Sequence, residues 1–148
     1  MLAVREQLGK LLAADPTTLA PAASPNKLAL IGSAFSASEN LTVQDLDLLA
    51  GNGLDPVACG PGPQLVALDP TTNEQLITLV PGAASGFRWV SSGSFPQPIS
   101  VYGVALTDNA GDKLLGVSQF RAPITLHGPG YQIDADPQTI AFVLTPMS

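Results

Sequence analysis

The sequence predicts a mainly β protein, built as a single antiparallel β-sandwich or partly closed β-barrel. Through the last third of the chain, short apolar and β-branched segments alternate with turn residues at near-regular spacing, a pattern typical of these two architectures. The chain also contains 14 glycines and 14 prolines, the residues that most often form turns. Its 148 residues and its hydrophobic content of 45% suit a folded domain with a buried core.

The chain divides into an N-terminal helix and arm, residues 1–26, and a β-domain, residues 27–148. Residues 1–14 predict an amphipathic helix, because apolar side chains recur at the spacing of one helical face. These side chains are Val4, Leu8, Leu11 and Leu12. Pro16 ends the helix, and further prolines favour an extended arm up to residue 26. We interpret the apolar stripe as an assembly surface that packs on a neighbouring subunit. The alternative is that the helix packs on its own domain, and the sequence leaves both open.

The first part of the β-domain predicts a strand followed by a short helical turn. Residues 27–33 form the strand candidate. Thr42 opens the turn, and Asp45 lies three residues later in the reciprocal capping position. Gly51 stands where a helix commonly ends. Three leucines are expected to face inward: Leu41, Leu46 and Leu49.

The rest of the domain predicts eight short strands separated by turns. Asp108, Asn109 and Gly111 form the clearest turn, a structural one with Gly111 as the position of positive φ. Other turns are expected at residues 128–130 and 134–137. The predicted strands are 64–68, 75–80, 87–90, 99–106, 113–120, 123–126, 131–134 and 139–145.

Few side chains are suited to catalysis. His127 is the only histidine and has no nucleophile elbow to pair with, so we read it as a solvent-facing turn residue. Cys59 is the only cysteine and is expected to be a buried structural thiol. Two aspartate pairs offer oxygen ligands for calcium but are better explained as turn formers: Asp108 with Asp112, and Asp134 with Asp136. We therefore predict no catalytic residue, no metal, no cofactor and no enzyme activity.

The charge pattern argues against nucleic-acid binding and for assembly. The net charge is −6, and the six basic residues are dispersed, so no basic patch follows a phosphate backbone. Charged residues make up only 12% of the chain, which suits a protein that hides much of its surface in an assembly. No stretch approaches the ~20 apolar residues of a membrane span, and residues 1–14 lack the apolar core of a signal peptide.

The single tryptophan allows two interpretations. Phe87 and Trp89 share one face of the predicted strand 87–90, and such a face most often belongs to the core. Alternatively, Trp89 and Tyr131 stack on sugar rings, which makes the chain a carbohydrate-binding β-module.

Two blocks of the sequence resemble small virion proteins of tailed bacteriophages. In residues 28–46, a strand leads through a polar run to the turn opened by Thr42. In residues 101–126, a Tyr-Gly pair begins a hairpin around Gly111, and a strand containing Pro123 follows. Together the blocks cover about 45 residues and contain no catalytic residue.

This resemblance implies a non-enzymatic virion structural protein made in the host cytoplasm. Within that class the leading hypothesis is a capsid decoration, or cement, protein on the outer capsid surface. Its partners would be the major capsid protein and further copies of itself, with a homotrimer favoured. A minor capsid protein and a head–tail connector or tail protein are the alternatives.

Overall fold

The computed structural model describes residues 2–3, 26–59, 64–68, 75–78, 86–135 and 142–144. In the segments 2–3, 64–68, 75–78 and 142–144 it describes the backbone only. The mainly β prediction is confirmed: antiparallel sheets form a sandwich-like fold, with no closed barrel in the described part of the chain.

Ten strands and one 3₁₀ helix, Val43–Asp45, are present in these segments. The strands are β1 (Leu2–Ala3), β2 (Lys27–Ile31), β3 (Val57–Ala58), β4 (Gln64–Leu68), β5 (Gln75–Thr78), β6 (Phe87–Val90), β7 (Ile99–Thr107), β8 (Leu114–Leu126), β9 (Gln132–Ala135) and β10 (Phe142–Leu144). They form a five-stranded sheet in the order β1-β8-β7-β2-β3, a three-stranded sheet β10-β5-β4 and a two-stranded ribbon β6-β9. Every pairing is antiparallel.

The core lies between the five-stranded sheet and the β6–β9 ribbon. In the β2–β7 pair, Leu28 lies opposite Leu106 and Leu30 opposite Val104, so alternation along the strands puts all four side chains on one face. That face packs against aromatic and aliphatic side chains of the ribbon, and each of these residues is at most 6% exposed. The ribbon's contributors are Phe87, Trp89 and Ile133.

The opposite face of the five-stranded sheet is covered by the segment 35–48. Ile31, Ala105 and Val117 are buried on this face. Partly buried side chains from the segment pack against them: Phe35, Leu41, Val43, Leu46 and Leu48. Both faces of β2 are therefore covered by apolar side chains, which explains why residues 28–31 are an unbroken apolar run rather than an alternating one.

Strand β8 corrects the predicted division between residues 113–120 and 123–126. The two segments form one strand whose register with β7 shifts between the pairs Gly103–Gln119 and Val101–Ile124. Pro123 lies within this irregularity. A proline lacks the N–H of a regular ladder and is tolerated at such positions, so the strand continues past it.

The predicted helix from residue 1 is wrong at its start. Leu2 and Ala3 pair with Val117 and Gly116 as strand β1 at the outer side of β8. Backbone pairing with a sheet edge replaces helical bonds there. The four residues of the apolar stripe, Val4, Leu8, Leu11 and Leu12, lie outside the described residues.

The helical turn at Thr42 is present but shorter than predicted. The backbone amide of Thr42 donates to Asp45 Oδ2 at 2.8 Å, and its hydroxyl does so at 3.0 Å. These hydrogen bonds hold the pKa of Asp45 below its usual range. The helix ends at Asp45 rather than near Gly51, because residues 46–49 are bonded to the end of β2. Leu41, Leu46 and Leu49 pack on the core as predicted.

Candidate functional site

Three loops meet at one end of the sandwich, and we call them together the loop cluster: residues 51–55, 91–93 and 127–131. Backbone bonds connect them. Ser92 N donates to the carbonyl of Asn52 at 2.8 Å, and Ser91 N donates to the carbonyl of Tyr131 at 2.8 Å. The cluster therefore joins segments that are far apart in sequence, as ligand- and partner-binding loops often are.

Ser91 is the polar centre of the loop cluster. It is 2% exposed. Its hydroxyl donates to the carbonyl of Gly128 at 2.7 Å and accepts from the amide of Tyr131 at 2.9 Å, and its carbonyl accepts from Gly130 N at 2.8 Å. One side chain thus satisfies two partly buried backbone groups, the carbonyl of Gly128 and the amide of Tyr131.

The segment 51–54 is a tight turn with positive φ at both central residues. Leu54 N donates to Gly51 O at 2.9 Å, and φ is 53° at Asn52 and 78° at Gly53. This is the type I′ pattern, for which Asn-Gly is the preferred pair. Asp55 closes the turn from outside, since its Oδ1 accepts from Gly51 N at 2.9 Å.

Trp89 belongs to the core and not to a binding surface. It is 1% exposed, and its Nε1 donates to the carbonyl of Asp55 at 3.0 Å. A buried indole commonly satisfies its N–H in this way. The sugar-stacking interpretation is therefore wrong for Trp89, which offers no ring face to a ligand, whereas Tyr131 is 45% exposed.

The outward face of the β6–β9 ribbon mixes apolar and ionic side chains. Arg88 Nε lies 2.7 Å from Asp134 Oδ1, and Gln132 donates to Asp134 Oδ2 at 2.7 Å. The hydrogen bond from Arg88, followed by that from Gln132, lowers the pKa of Asp134. Beside these groups in the ribbon, Val90 is 46% exposed, so this face offers a partner both apolar area and charge.

The hairpin turn between β7 and β8 is organised by one carboxylate. Asp108 Oδ1 accepts from the amides of Asp112 at 2.8 Å and Lys113 at 3.1 Å. Gly111 has φ +79°, and Asn109 occupies the exposed tip. The Asp108 carboxylate is thus occupied by its own backbone, the arrangement of an aspartate that forms a turn.

The other residues singled out from the sequence are scattered. Cys59 is buried, and burial raises the pKa of its thiol to about 12. His127 is exposed in its turn, with its ring 6.4 Å from that of Tyr131. Asp134 lies within β9 rather than in a turn, because it pairs with Arg88 across the ribbon, and Asp136 lies outside the described residues.

Two features are absent from the described segments. They contain no group of three or more His, Cys, Asp or Glu side chains able to hold a metal ion. In the same segments, no helix has the length and apolar character needed to cross a membrane.

Sequence reasoning missed the loop cluster, although one signal for it was present. No turn is predicted above for residues 52–63, yet Asn52-Gly53 is the dipeptide most typical of a type I′ turn. The role of Ser91 has no local signal, because both groups it satisfies lie near residue 130.

Comparison with known proteins gave no relative. No protein-family model, no curated protein and no solved structure matches this chain.

Proposed function

We propose that this chain is a non-enzymatic virion structural protein of a tailed bacteriophage, most specifically a capsid decoration protein. In this role it binds the major capsid protein on the outer shell as a homo-oligomer, with a trimer favoured. The proposal rests on the two sequence blocks that resemble phage virion proteins, residues 28–46 and 101–126.

The observation that best supports it is the packing of these two blocks against each other. Strand β2 of the first block pairs with β7 of the second from Lys27–Thr107 to Ile31–Gly103. A Cβ placed on Gly103 would clash with the carbonyl oxygen of Ser118 in β8 and lie 3.1 Å from two ring atoms of Phe35, so glycine permits close packing within the second block and beneath the first. Segments more than 50 residues apart in sequence therefore form one structural unit, as expected if both derive from one ancestral scaffold.

The surface properties agree with a protein that works by contact. Charged side chains are few, and among the residues whose burial the structure describes, three large apolar side chains are at least 41% exposed: Val90, Ile124 and Tyr131. In an oligomer, such weak contacts are repeated in each subunit and bind together far more tightly than one alone. A decoration protein needs this property, because it must bind a preformed lattice without a covalent link.

The copy number in purified virions tests the proposal directly. Quantitative mass spectrometry of particles of the phage that encodes the chain should find it in hundreds of copies, released by treatments that leave the capsid intact. A connector would be present at about a dozen copies, because such rings have closed symmetry. Absence from the particle would contradict any virion role.

A second experiment tests the assembly role of residues 1–26. We would replace Val4, Leu8, Leu11 and Leu12 together by glutamine in the full chain, with Ala110→Gln, at the exposed tip of the β7–β8 hairpin, as a single-site control. The expected result is an unchanged far-UV spectrum with loss of oligomer or of capsid binding. Unfolding of the quadruple variant, with assembly of the folded fraction unchanged, would place the stripe in its own domain's core.

The carbohydrate-binding alternative is tested with the purified protein on a glycan array. Since Trp89 is buried, Tyr131 is the residue of this alternative that a glycan can reach. Glycan binding that is abolished by Tyr131→Ala would favour this alternative over the virion role.

A further inference from the structure

The turn at residues 51–54 contains the one Asn-Gly pair of the sequence, Asn52-Gly53. Both residues are exposed. An asparagine followed by glycine is chemically labile, because no side chain on the next residue hinders attack by its backbone nitrogen. The turn is therefore a candidate site of spontaneous covalent modification.

The reaction is an intramolecular substitution that needs only water. The backbone nitrogen of Gly53 attacks Cγ of Asn52 and forms a five-membered succinimide, while the side-chain nitrogen leaves as ammonia. Water then opens the ring at one of its two carbonyls. One product is aspartate, and the other is isoaspartate, in which the main chain runs through Cβ and Cγ.

The closed turn holds the reacting atoms apart. Asn52 has φ 53°, and in this left-handed region ψ is about +30 to +60°. That ψ places the Gly53 nitrogen nearly anti to the Asn52 Cβ, whereas ring closure requires the nitrogen and Cβ on the same side of the Cα–C bond. The peptide must rotate by more than a right angle, so the turn has to open first.

Four hydrogen bonds oppose this opening, and they come from three parts of the chain. Leu54 N donates to Gly51 O, and Gly51 N donates to Asp55 Oδ1, both at 2.9 Å. Ser92 N donates to Asn52 O at 2.8 Å, and Trp89 Nε1 donates to Asp55 O at 3.0 Å. Rotation of the Asn52 carbonyl breaks the bond from Ser92 directly.

We propose that Asn52 is a deamidation site whose rate is controlled by opening of the 51–55 loop, and that the isoaspartate product disconnects this loop from residues 91–93. Aspartate at position 52 fits the left-handed conformation and leaves the turn intact. Isoaspartate lengthens the main chain by one carbon within a turn that hydrogen bonds hold at both ends. In the native turn, Asn52 O accepts from Ser92 N and Asn52 Oδ1 lies near Gly93. The longer main chain of isoaspartate removes both contacts.

The test follows deamidation by peptide mapping, with aspartate and isoaspartate resolved by chromatography. The full chain is incubated in mildly alkaline buffer, folded or in urea. Asn52 should be the fastest deamidation site in urea. In the folded protein its rate should be at least about tenfold lower, a factor that corresponds to the net contribution of about one hydrogen bond. Equal rates in both states, or faster reaction at another asparagine in urea, would overturn the proposal.

Variants at Asp55 then separate loop opening from global unfolding. Asp55→Ala removes the acceptor for Gly51 N and should raise the folded-state rate at Asn52 roughly threefold to tenfold. Asp55→Asn keeps that oxygen acceptor and should react near the native rate, and its new Asn-Pro bond has no N–H for attack. Asp112→Ala, which removes a carboxylate from a different turn, should have no effect. An unchanged rate in Asp55→Ala would contradict control by this loop.

Discussion

Two tight turns of this chain hold a glycine at almost the same backbone angle, in very different surroundings. Gly111, in the β7–β8 hairpin, has φ +79°, and Gly53, in the loop cluster, has φ +78°. A Cβ added to Gly111 would meet no other atom within 4 Å, whereas one added to Gly53 would clash with the carbonyl oxygen of Val90. The angle is shared, but only one turn is pressed against another part of the chain.

The difference separates a local turn from a tertiary one. The hairpin turn is closed by Asp108, which is bonded to residues four and five positions later. The 51–54 turn is held by its own bond and by contacts with Trp89 and Ser92. We therefore expect substitutions in the hairpin to have small, local effects and substitutions in the loop cluster to have larger, distributed ones.

The largest effect is expected for Gly53→Ala. Positive φ costs a non-glycine residue about 1 kcal/mol, and displacing the Val90 carbonyl adds an overpacking cost of about 2 kcal/mol. Denaturant unfolding should thus show a loss of roughly 3 kcal/mol. Gly111→Ala is the matched control, with only the φ cost of about 1 kcal/mol. Equal losses of unfolding free energy in the two variants would contradict the distinction between a local and a tertiary turn.

Ser91→Ala should give the next largest effect, because it leaves two backbone groups of the 128–131 turn without their partner. Loss of these two partly buried hydrogen bonds should destabilise the fold by about 2 kcal/mol. Ser100→Ala is the control, since that hydroxyl only reaches Thr125 Oγ1 at 3.5 Å, and it should change stability by less than about 0.5 kcal/mol. A neutral Ser91→Ala would show that water replaces the hydroxyl.

Asp108→Ala tests the local turn. The variant removes the acceptor for the amides of Asp112 and Lys113 at an exposed site, so we expect a loss of about 1 kcal/mol. Asp108→Asn keeps an acceptor oxygen and should recover most of this stability. Hydrogen exchange should speed up in the hairpin and not at residues 51–55. Faster exchange in both regions would show that the hairpin is coupled to the loop cluster.

The smallest effect at neutral pH concerns Cys59, which packs with Leu54 and Trp89. Its folded pKa of about 12 lies above the unfolded value of about 8.5. The stabilising contribution of the neutral thiol is therefore complete below about pH 8.5 and is lost as the pH rises toward 12. Between about pH 8 and about pH 10, the wild type should lose more unfolding free energy than Cys59→Ala. Other titrating groups are common to both proteins, so parallel curves would contradict burial of the thiol.

Local sequence patterns predicted eight of the ten described strands, all except β1 and β3, together with the hairpin turn at Asp108 and Gly111 and the burial of the aromatic pair in β6. Period-two alternation placed Phe87 and Trp89 on one face of β6 and predicted burial for both. Asp108 and Gly111 define their turn through backbone angles and bonds within six residues, so local chemistry was sufficient there. The Thr42–Asp45 interaction was predictable for the same reason.

Long-range contacts account for the features that local sequence patterns do not predict. The helix after Thr42 stops at Asp45 because the following residues bond to β2, and Leu2–Ala3 is a strand because β8 offers it an edge. Ser91 has its partners near residue 130, and Gly53 is required by a carbonyl 37 residues later in the chain. Such long-range contacts exist only after the sheets have formed, so no window of sequence around each residue contains the physical reason for its role.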